Sequence, residues 1–535
     1  MSIIWKSASE ASTQKDAPGL VLNPNPPESH CPFLDLAMKL PALLMVLWLP
    51  KLKAQICHLS TLNQNLPVRY LHIQLTDGSG GNITESRGPL IATVRGEPSG
   101  ECRFWKEVVD RFDGSYILRI RLLCVCDRLD IEVTDQEGNM LCHSPDVAGN
   151  GGERAQLPEN CHCPTDTLED WFESNNCSQF SYTQLEKDLE QWKEIDFPQV
   201  IQGVEESWGH PSRRLSASLC HYRILGNEIY RKCYGEYVGF RMFTDELLQS
   251  LSRKMTLPNT EFIMNLGDWP LQSLSPEGVP VVSWCGSTDS MDIVWPTYEL
   301  TQAVLGALQS VTLDIHTVRG KKGTKWSEKK STAVFRGRDS NELRLAVAKL
   351  VERRPDLVSG GITRYFFFDK SKNPSTVNHT KFHEFFKHKY VISIDGTVAA
   401  YRFPLLLSGD SVILKSDSRY YEHFYADLKP HIHYVPFKSV QDLEGIIQDL
   451  EANPDKAKKI ISNANQFVQD HLQPLNIFCY HAKFFREYSK RITSSFVPVD
   501  GMEKVGRFSE RVPEVRNCRC SSLNQDGHQR SRDEF

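Results

Sequence analysis

From about Glu159 to Ile492, short apolar runs alternate with segments whose apolar residues recur at helical spacing, and this restricts the chain to layers of sheet and helix. Val279–Trp284, Ala333–Phe335, Tyr390–Ile394, Ser411–Leu414 and His433–Phe437 have the length and composition of buried strands. Between them, Leu300, Val304, Ala307 and Leu308 mark one helix face, Leu343, Val347, Leu350 and Val351 a second, and Val440, Leu443, Ile447 and Leu450 a third. Thr244-Asp245-Glu246 reads as a helix start, with a cap followed by two first-turn acids. Tyr420–Leu428 reads as a further helix. Strict alternation predicts parallel, doubly wound sheets. The stretch is too long for one such unit, so two Rossmann-like α/β halves facing a cleft are expected, over 159–330 and 331–500.

Ahead of this region the period shortens to two. Val68–Leu75 runs into the turn Asp77–Gly81, Asp113-Gly114 leads into Ser115–Leu122, and Leu129–Val133 follows. Short strands at this spacing predict an all-β sandwich over 58–150, with a linker at 149–153. It carries no catalytic pattern, so recognition or spacing is its expected role. Further upstream, Leu40–Pro50 follows Met38-Lys39. This run is too short to cross a bilayer, which takes about 20 residues, and it has the length of a signal-peptide core with Ala54 available for cleavage. Residues 1–54 therefore read as an extension with an internal signal-like segment, whose position points to a start at Met38 or to an alternative form.

Fifteen cysteines suit an oxidising compartment, and Cys124/Cys126, Cys161/Cys163 and Cys518/Cys520 lack the paired spacing of a zinc site. Sequons at Asn82, Asn176 and Asn378 suit a secreted or luminal chain. The end, Arg532-Asp533-Glu534-Phe535, resembles the K-D-E-L class of retention signals with an unusual last residue. A protein of the endoplasmic reticulum lumen with a flexible tail over 501–535 is expected. The net charge of -5 gives no bias toward nucleic acid, and no membrane span is expected.

Three segments carry chemistry. Phe262–Leu266 has strand character and stops at Gly267-Asp268-Trp269-Pro270, which puts Asp268 at a strand end as a candidate general base. In Phe335-Arg336-Gly337-Arg338 a strand stops at a glycine between arginines. A helix then starts with Asp339 or Ser340 as cap, and Arg344 falls near its first turn, a fork of donors suited to phosphate. In Ile392–Phe403 a strand ends at Asp395-Gly396 and a small-residue helix starts at Thr397. Val398, Ala399 and Ala400 keep the backbone open to a diphosphate, with Tyr401 and Arg402 beyond. The absence of G-x-G-x-x-G disfavours a dinucleotide. Glu422 is a candidate for ribose hydroxyls or a surface acid. Asp289 and Asp292 are acceptor contacts or turn formers. His423, His431 and His433 fall on different elements, and no metal is expected.

The set F-I-M-N-L-G-D-W-P, W-C-G-S-T-D-S-M-D-I-V-W-P-T-Y, S-T-A-V-F-R-G-R-D-S, D-G-T-V-A-A-Y-R and Y-Y-E-H-F-Y closely resembles the protein O-glucosyltransferases, within them the KDEL-motif members that carry an N-terminal filamin repeat. The resemblance implies a GT-B fold preceded by a filamin-type immunoglobulin-like sandwich. It also implies transfer of glucose from UDP-glucose to serine in EGF-like repeats of Notch- or fibrillin-type proteins; a single carboxylate base makes the expected transfer inverting, and the absence of a D-x-D motif means no metal cofactor is expected. Transfer of xylose from UDP-xylose, and a catalytically inactive client-binding protein, are the alternatives. By position, Asp268 is the implied catalytic base. Arg344 and Thr397 through Arg402 are the implied donor-binding residues, and the reading of the residues themselves adds Arg336, Gly337 and, as the ribose candidate, Glu422 to the expected donor side. Trp269, Asp289, Tyr237 and Phe240 are the expected acceptor side. The resemblance implies a Cys161–Cys479 disulfide and, more weakly, Cys163–Cys177, and it leaves Cys233 alone.

Overall fold

Period-two alternation builds the N-terminal part. The strands β1 (Ile56–Asn63), β2 (Val68–Thr76), β3 (Ile91–Glu97), β4 (Phe104–Asp110), β5 (Ser115–Leu122), β6 (Arg128–Thr134) and β7 (Met140–Pro145) form two antiparallel sheets, ordered β1-β2-β5-β4 and β3-β6-β7. Leu71, Ile73, Tyr116 and Leu118 from one sheet and Ile131 and Val133 from the other share a single core. The Cys57–Cys142 disulfide joins β1 to β7. The computed structural model describes residues 56–63, 68–97, 102, 104–122, 128–145, 167–208, 218–275, 278–304, 310–320, 325–496, 501–506, 521–523 and 529–531. The signal-like segment, the linker, Cys161, Cys163 and the last four residues lie outside them.

The outer face of the four-stranded sheet is also buried. Tyr70 and Ile117 pack there with Leu313 of the Ser310–Gly320 helix, and Tyr70 stacks on His316 with ring centroids 4.4 Å apart. In the β4–β5 turn, Arg111 pairs with Asp314 of the same helix and donates to Thr317 Oγ1 at 3.1 Å. A sheet covered on both faces is docked against the α/β part, not held away from it as a spacer.

The first α/β half departs from the expected all-parallel sheet. Its strands are β8 (Leu219–Leu225), β9 (Glu228–Tyr234), β10 (Thr260–Asn265), β11 (Val281–Ser283) and β13 (Ile293–Val294), with the short β12 (Gly286–Ser287) lying between β11 and β13 in the chain. The sheet order is β13-β11-β10-β8-β9. Only β10, β11 and β13 run parallel; β8 is antiparallel to both β10 and β9. The reason is the Gly226-Asn227 turn, with φ of 55° and 64°, which joins β8 to β9 as a two-residue hairpin where a helical crossover would be needed for parallel pairing. The hairpin register sets Cys220 opposite Cys233 and the two form a disulfide, so Cys233 is not alone. The following helix, Arg241–Lys254, starts ahead of Thr244. Asp245 lies inside it, accepting from Tyr222 Oη at 2.8 Å and pairing with Arg231 at 2.6 Å.

The second half is a fully parallel sheet. Its elements are β14 (Lys330–Arg338), β15 (Val358–Arg364), β16 (His388–Ser393), β17 (Val412–Ser416), β18 (Tyr420–Tyr421) and β19 (Val435–Phe437), with sheet order β15-β14-β16-β17-β19. Chain order reverses between β14 and β16. That switch point leaves a crevice beyond the strand ends, where ligands bind in open α/β sheets. The expected Tyr420–Leu428 helix is instead β18, paired antiparallel with β12 of the first half, followed by a single 3-10 turn at Tyr425–Asp427.

The chain then crosses back. In the Pro474–Tyr488 helix, Phe484 and Phe485 pack on Phe262 of β10 and on Trp295, and Tyr480 Oη donates to the Val294 carbonyl at 2.7 Å. Cys479, on this helix, is bonded to Cys177, which corrects both implied pairings, Cys161–Cys479 and Cys163–Cys177. The Leu168–Ser174 helix packs on the same helix, and Cys177 follows one turn later, directly beside Cys479. Past residue 500, β20 (Glu503–Lys504) joins the edge of the first sheet beside β9, and β21 (Ser521–Leu523) pairs with β22 (Gln529–Ser531), where a flexible tail was expected.

Peptide mapping without reduction should recover the Cys177–Cys479 link and no Cys161–Cys479 link. Replacing Cys479 by serine should lower stability by about 2–5 kcal/mol, read as a fall in the thermal midpoint; an unchanged midpoint would contradict a bridge between these helices.

Candidate functional site

At the end of β10 the buried side chain of Asn265 shapes a turn. Its Nδ2 donates to the Trp269 carbonyl (2.6 Å) and to Ser283 Oγ (3.0 Å), and its Oδ1 accepts from the Gly267 N–H (2.9 Å). Asp292 fixes the next segment, accepting from the N–H groups of Leu271 and Gln272 at 2.9 Å and from Ser283 Oγ at 2.6 Å. Burial pushes the Asp292 carboxyl up to about 6, against those donors. Asp292 is thus a turn former rather than an acceptor contact.

Asp268 sits at the tip of this turn. Its main-chain oxygen accepts from Tyr401 Oη at 3.2 Å and from Cys285 Sγ at 3.3 Å. Its carboxylate makes no ion pair or hydrogen bond with the described residues, and Oδ1 is buried without a partner. Burial raises its pKa above the ordinary aspartate range.

Opposite lies the switch point. β14 runs through Arg336-Gly337-Arg338 without stopping, because it pairs with β15 as far as Arg338. The Glu342–Arg353 helix is capped by Asn341, whose Oδ1 accepts from the Arg344 N–H at 3.1 Å, and not by Asp339 or Ser340. Asp339 is fully buried and accepts the N–H groups of Phe366, Phe367 and Phe368, each at 2.8 Å.

The Arg344 guanidinium spans the crevice. Nε donates to the Asp395 carbonyl (2.9 Å) and Nη2 to the Ile394 carbonyl (2.8 Å). Nη1 reaches the Arg338 carbonyl (3.1 Å) and Ser340 Oγ (3.2 Å). A Cβ at Gly337 would lie 3.2 Å from that Nη1 and 3.1 Å from the Phe335 ring, so a side chain there would crowd the fork. Burial, and then repulsion from Arg402, lowers the Arg344 pKa to about 9; burial lowers Arg402 to about 10. Both stay cationic at neutral pH, and neither forms an ion pair with a described carboxylate.

From Gly396 to Arg402 the chain is an open turn. The helix expected from Thr397 covers only Phe403–Leu406, with Pro404 in its first turn. Gly396 N–H bonds the Val398 carbonyl and Ala400 N–H bonds Asp395 Oδ1, while the N–H groups of Thr397, Val398, Tyr401 and Arg402 make no bond to the described residues. Successive free amides in a turn form an anion-binding concavity as a helix start does.

One cavity of about 890 Å³ collects Asp268, Arg336, Gly337, Arg344 and Thr397–Arg402. Asp110 and Asp314 line it too, but both are engaged: Asp110 by Ser86 and the Phe112 N–H, Asp314 by Arg111 and the Phe382 N–H. Asp268 is left as the unengaged carboxylate on this wall. The sequence reading flagged Arg338 only as a flank of Gly337 and missed Arg364, Lys381 and the sandwich turn Asp110–Phe112, all of which line the cavity.

Five expected site residues do not line it. Glu422 is fully buried, its carboxyl raised by burial and Oε1 beside Tyr425 Oη at 3.5 Å. Asp289 accepts from Ser287 Oγ at 2.6 Å and pairs with Arg419 at 2.9 Å, a turn former. Trp269 lies edge-on to Tyr420. Phe240 packs edge-on against Phe243 and Tyr298, holding up Tyr298, which in turn meets Tyr401. Tyr237 is half-buried just ahead of that packing. The three sequon asparagines, Asn82, Asn176 and Asn378, are exposed. A grouping with metal-ligand reach, Asp130, Glu132 and His143, belongs to the sandwich and already holds Arg95, 2.9 Å from Glu132.

The family model described as Glycosyl transferase family 90 matches residues 172–532. Protein O-glucosyltransferase 2 of Danio rerio is 40% identical over 450 residues, covering 83% of this chain and 88% of that one. Protein O-glucosyltransferase 3 of Homo sapiens is 38% identical over 472 residues, covering 86% and 89%. Protein O-glucosyltransferase 1 of Homo sapiens is 27% identical over 304 residues, covering 53% and 76%. With the match running through the Asp268 turn, the arginine crevice and the amide loop alike, the chain belongs to glycosyl transferase family 90.

Proposed function

We propose that this protein is an inverting protein O-glucosyltransferase that moves glucose from UDP-glucose to serine in folded EGF-like repeats. The reading rests on one observation: an unengaged carboxylate, Asp268, shares a cavity with two arginines, Arg344 and Arg402, that form no ion pair with a described carboxylate. Relatives named protein O-glucosyltransferase across most of the chain support the same reaction. In this reading the two halves are the domains of a GT-B enzyme and the N-terminal sandwich is of filamin type. The Cys57–Cys142, Cys177–Cys479 and Cys220–Cys233 disulfides suit the oxidising lumen of the endoplasmic reticulum.

The chemistry follows from the charges. Asp268 takes the serine proton as Oγ attacks the anomeric carbon on the face opposite the diphosphate. The bond from that carbon to the β-phosphate oxygen breaks, and UDP leaves with the electron pair. One carboxylate base and no covalent intermediate mean inversion. The leaving diphosphate needs positive potential that is in place beforehand, because fixed donors cost no reorganisation during the reaction. Arg344 supplies charge while its N–H groups are held by neutral acceptors, and Arg402 and the free amides of Thr397, Val398 and Tyr401 supply donors. Tyr401 Oη, bonded to the Asp268 carbonyl, fixes the base turn relative to the donor loop.

Asp268→Asn should lower transfer to a folded EGF-like repeat by roughly 10²–10⁴-fold while UDP binding, followed by calorimetry, persists; full activity in this variant would remove the base assignment. Intact mass should show a hexose added to the repeat, and a pentose would redirect the donor to UDP-xylose. Because the Asp268 pKa is raised, its ionised form is lost as pH falls through that raised value. The acid limb of kcat/KM should therefore lie above the titration of an exposed aspartate, about 3.9, and should vanish from the residual activity of Asp268→Asn. Tyr401→Phe removes one hydrogen bond, about 1 kcal/mol. Steady-state kinetics should show it mainly as a lower kcat, and a change confined to KM for UDP-glucose would argue against a positioning role.

A further inference from the structure

The sandwich reaches the cavity through one turn. Arg111 and Phe112, between β4 and β5, line the same cavity as Asp268 and Arg344. The turn is clamped on the α/β part from two sides. The Arg111 side chain pairs with Asp314 and Thr317, and its carbonyl accepts from Lys381 Nζ at 3.4 Å. Within the turn, the Phe112 N–H donates to Asp110 Oδ1 at 2.7 Å, and the Arg111 N–H donates to the Ser115 carbonyl at 3.1 Å.

Held this way, Phe112 has a φ of 57°. That region suits glycine or asparagine and is strained for a bulky side chain. The ring gains little burial in exchange. It is 72% exposed, the most open large hydrophobic side chain among the described residues, with Lys381 Nζ 5.9 Å from its centroid. A rigid turn therefore presents an open aromatic ring at the rim of the reaction cavity.

We infer that Phe112 is a contact for the protein acceptor, seating an apolar patch of the folded repeat beside the serine that faces Asp268. This rests on the transferase reading above and deepens it by assigning the sandwich a part of the acceptor site. The occupant is the acceptor and not the nucleotide sugar for a geometric reason. The groups suited to a diphosphate, Arg344 and Val398–Tyr401, are buried on the cavity floor, whereas Phe112 stays open at the rim, where the surface of a macromolecule must pass to deliver its serine. A single large ring on a rigid support is the usual form of a strong interface anchor.

The test is Phe112→Asn, which the left-handed backbone accommodates, so the fold is retained. With UDP-glucose and a folded EGF-like repeat, kcat/KM should fall at least tenfold, carried by KM for the repeat. Phe112→Trp should restore most of it, and UDP alone should bind Phe112→Asn as it binds the wild type. Wild-type KM for the repeat in Phe112→Asn overturns the inference, as does a loss of UDP affinity equal to the loss of transfer, which would place the ring in the donor site. A wild-type protein that transfers no sugar to any folded repeat overturns the transferase reading itself, and this inference with it.

Discussion

The architecture turns on how Arg344 is held. A buried guanidinium is costly unless its donors are met, and here they are met by neutral oxygens from both sides of the switch point: the Arg338 carbonyl at the end of β14, and the Ile394 and Asp395 carbonyls after β16. This does two things at once. It ties the ends of two parallel strands across the crevice that parallel topology opens there. It also leaves the guanidinium without a direct ion pair, since Asp395 and Asp339 lie near enough to attract it but no described carboxylate contacts it. With Arg402 near enough to depress its pKa further, the crevice holds a standing demand for an anion. Gly337 belongs to the same device, since a side chain would occupy the space of the fork.

The Asp268 turn is built separately and then joined. Asn265 and Asp292, both buried, close the loop after β10 and fix the segment beyond it. Tyr401 then bonds the Asp268 main chain from the Gly396–Arg402 turn, and the short β12–β18 pair makes a second link between the halves. Asp268 and the cationic crevice are therefore joined through hydrogen bonds between halves, not through one continuous element. The returning Pro474–Tyr488 helix, bonded through Cys479 to Cys177, closes the first half with residues from the far end of the chain. The sandwich adds a third contributor, because its β4–β5 turn is anchored on the Ser310–Gly320 helix and enters the cavity wall.

The alternating pattern made the sandwich strands and the parallel second sheet legible, since side-chain period reports directly which face is buried. It misled where local signals compete with distant ones. Thr244-Asp245 looked like a cap, but Asp245 is taken by Tyr222 and Arg231 inside the helix. Asp339 looked like a cap, but three backbone N–H groups from the β15 exit claim it, and Asn341 caps instead. The Gly226-Asn227 hairpin was present in the chain as a turn dipeptide, yet the expectation of parallel pairing passed over it, and with it the Cys220–Cys233 bond.

What the amino-acid order determined alone was the type of each layer, the strand end that carries Asp268, and the arginine and small-residue segments, because these depend on local period, turn chemistry and residue type. What only the folded chain decided was which of these segments meet. Cys479 pairs with Cys177 because two helices pack together, Glu422 is withdrawn because burial surrounds it, and Phe112 joins the cavity because Arg111 finds Asp314 about two hundred residues away in sequence. Contacts at that separation follow from packing free energy summed over the whole core, which no local window of the sequence contains.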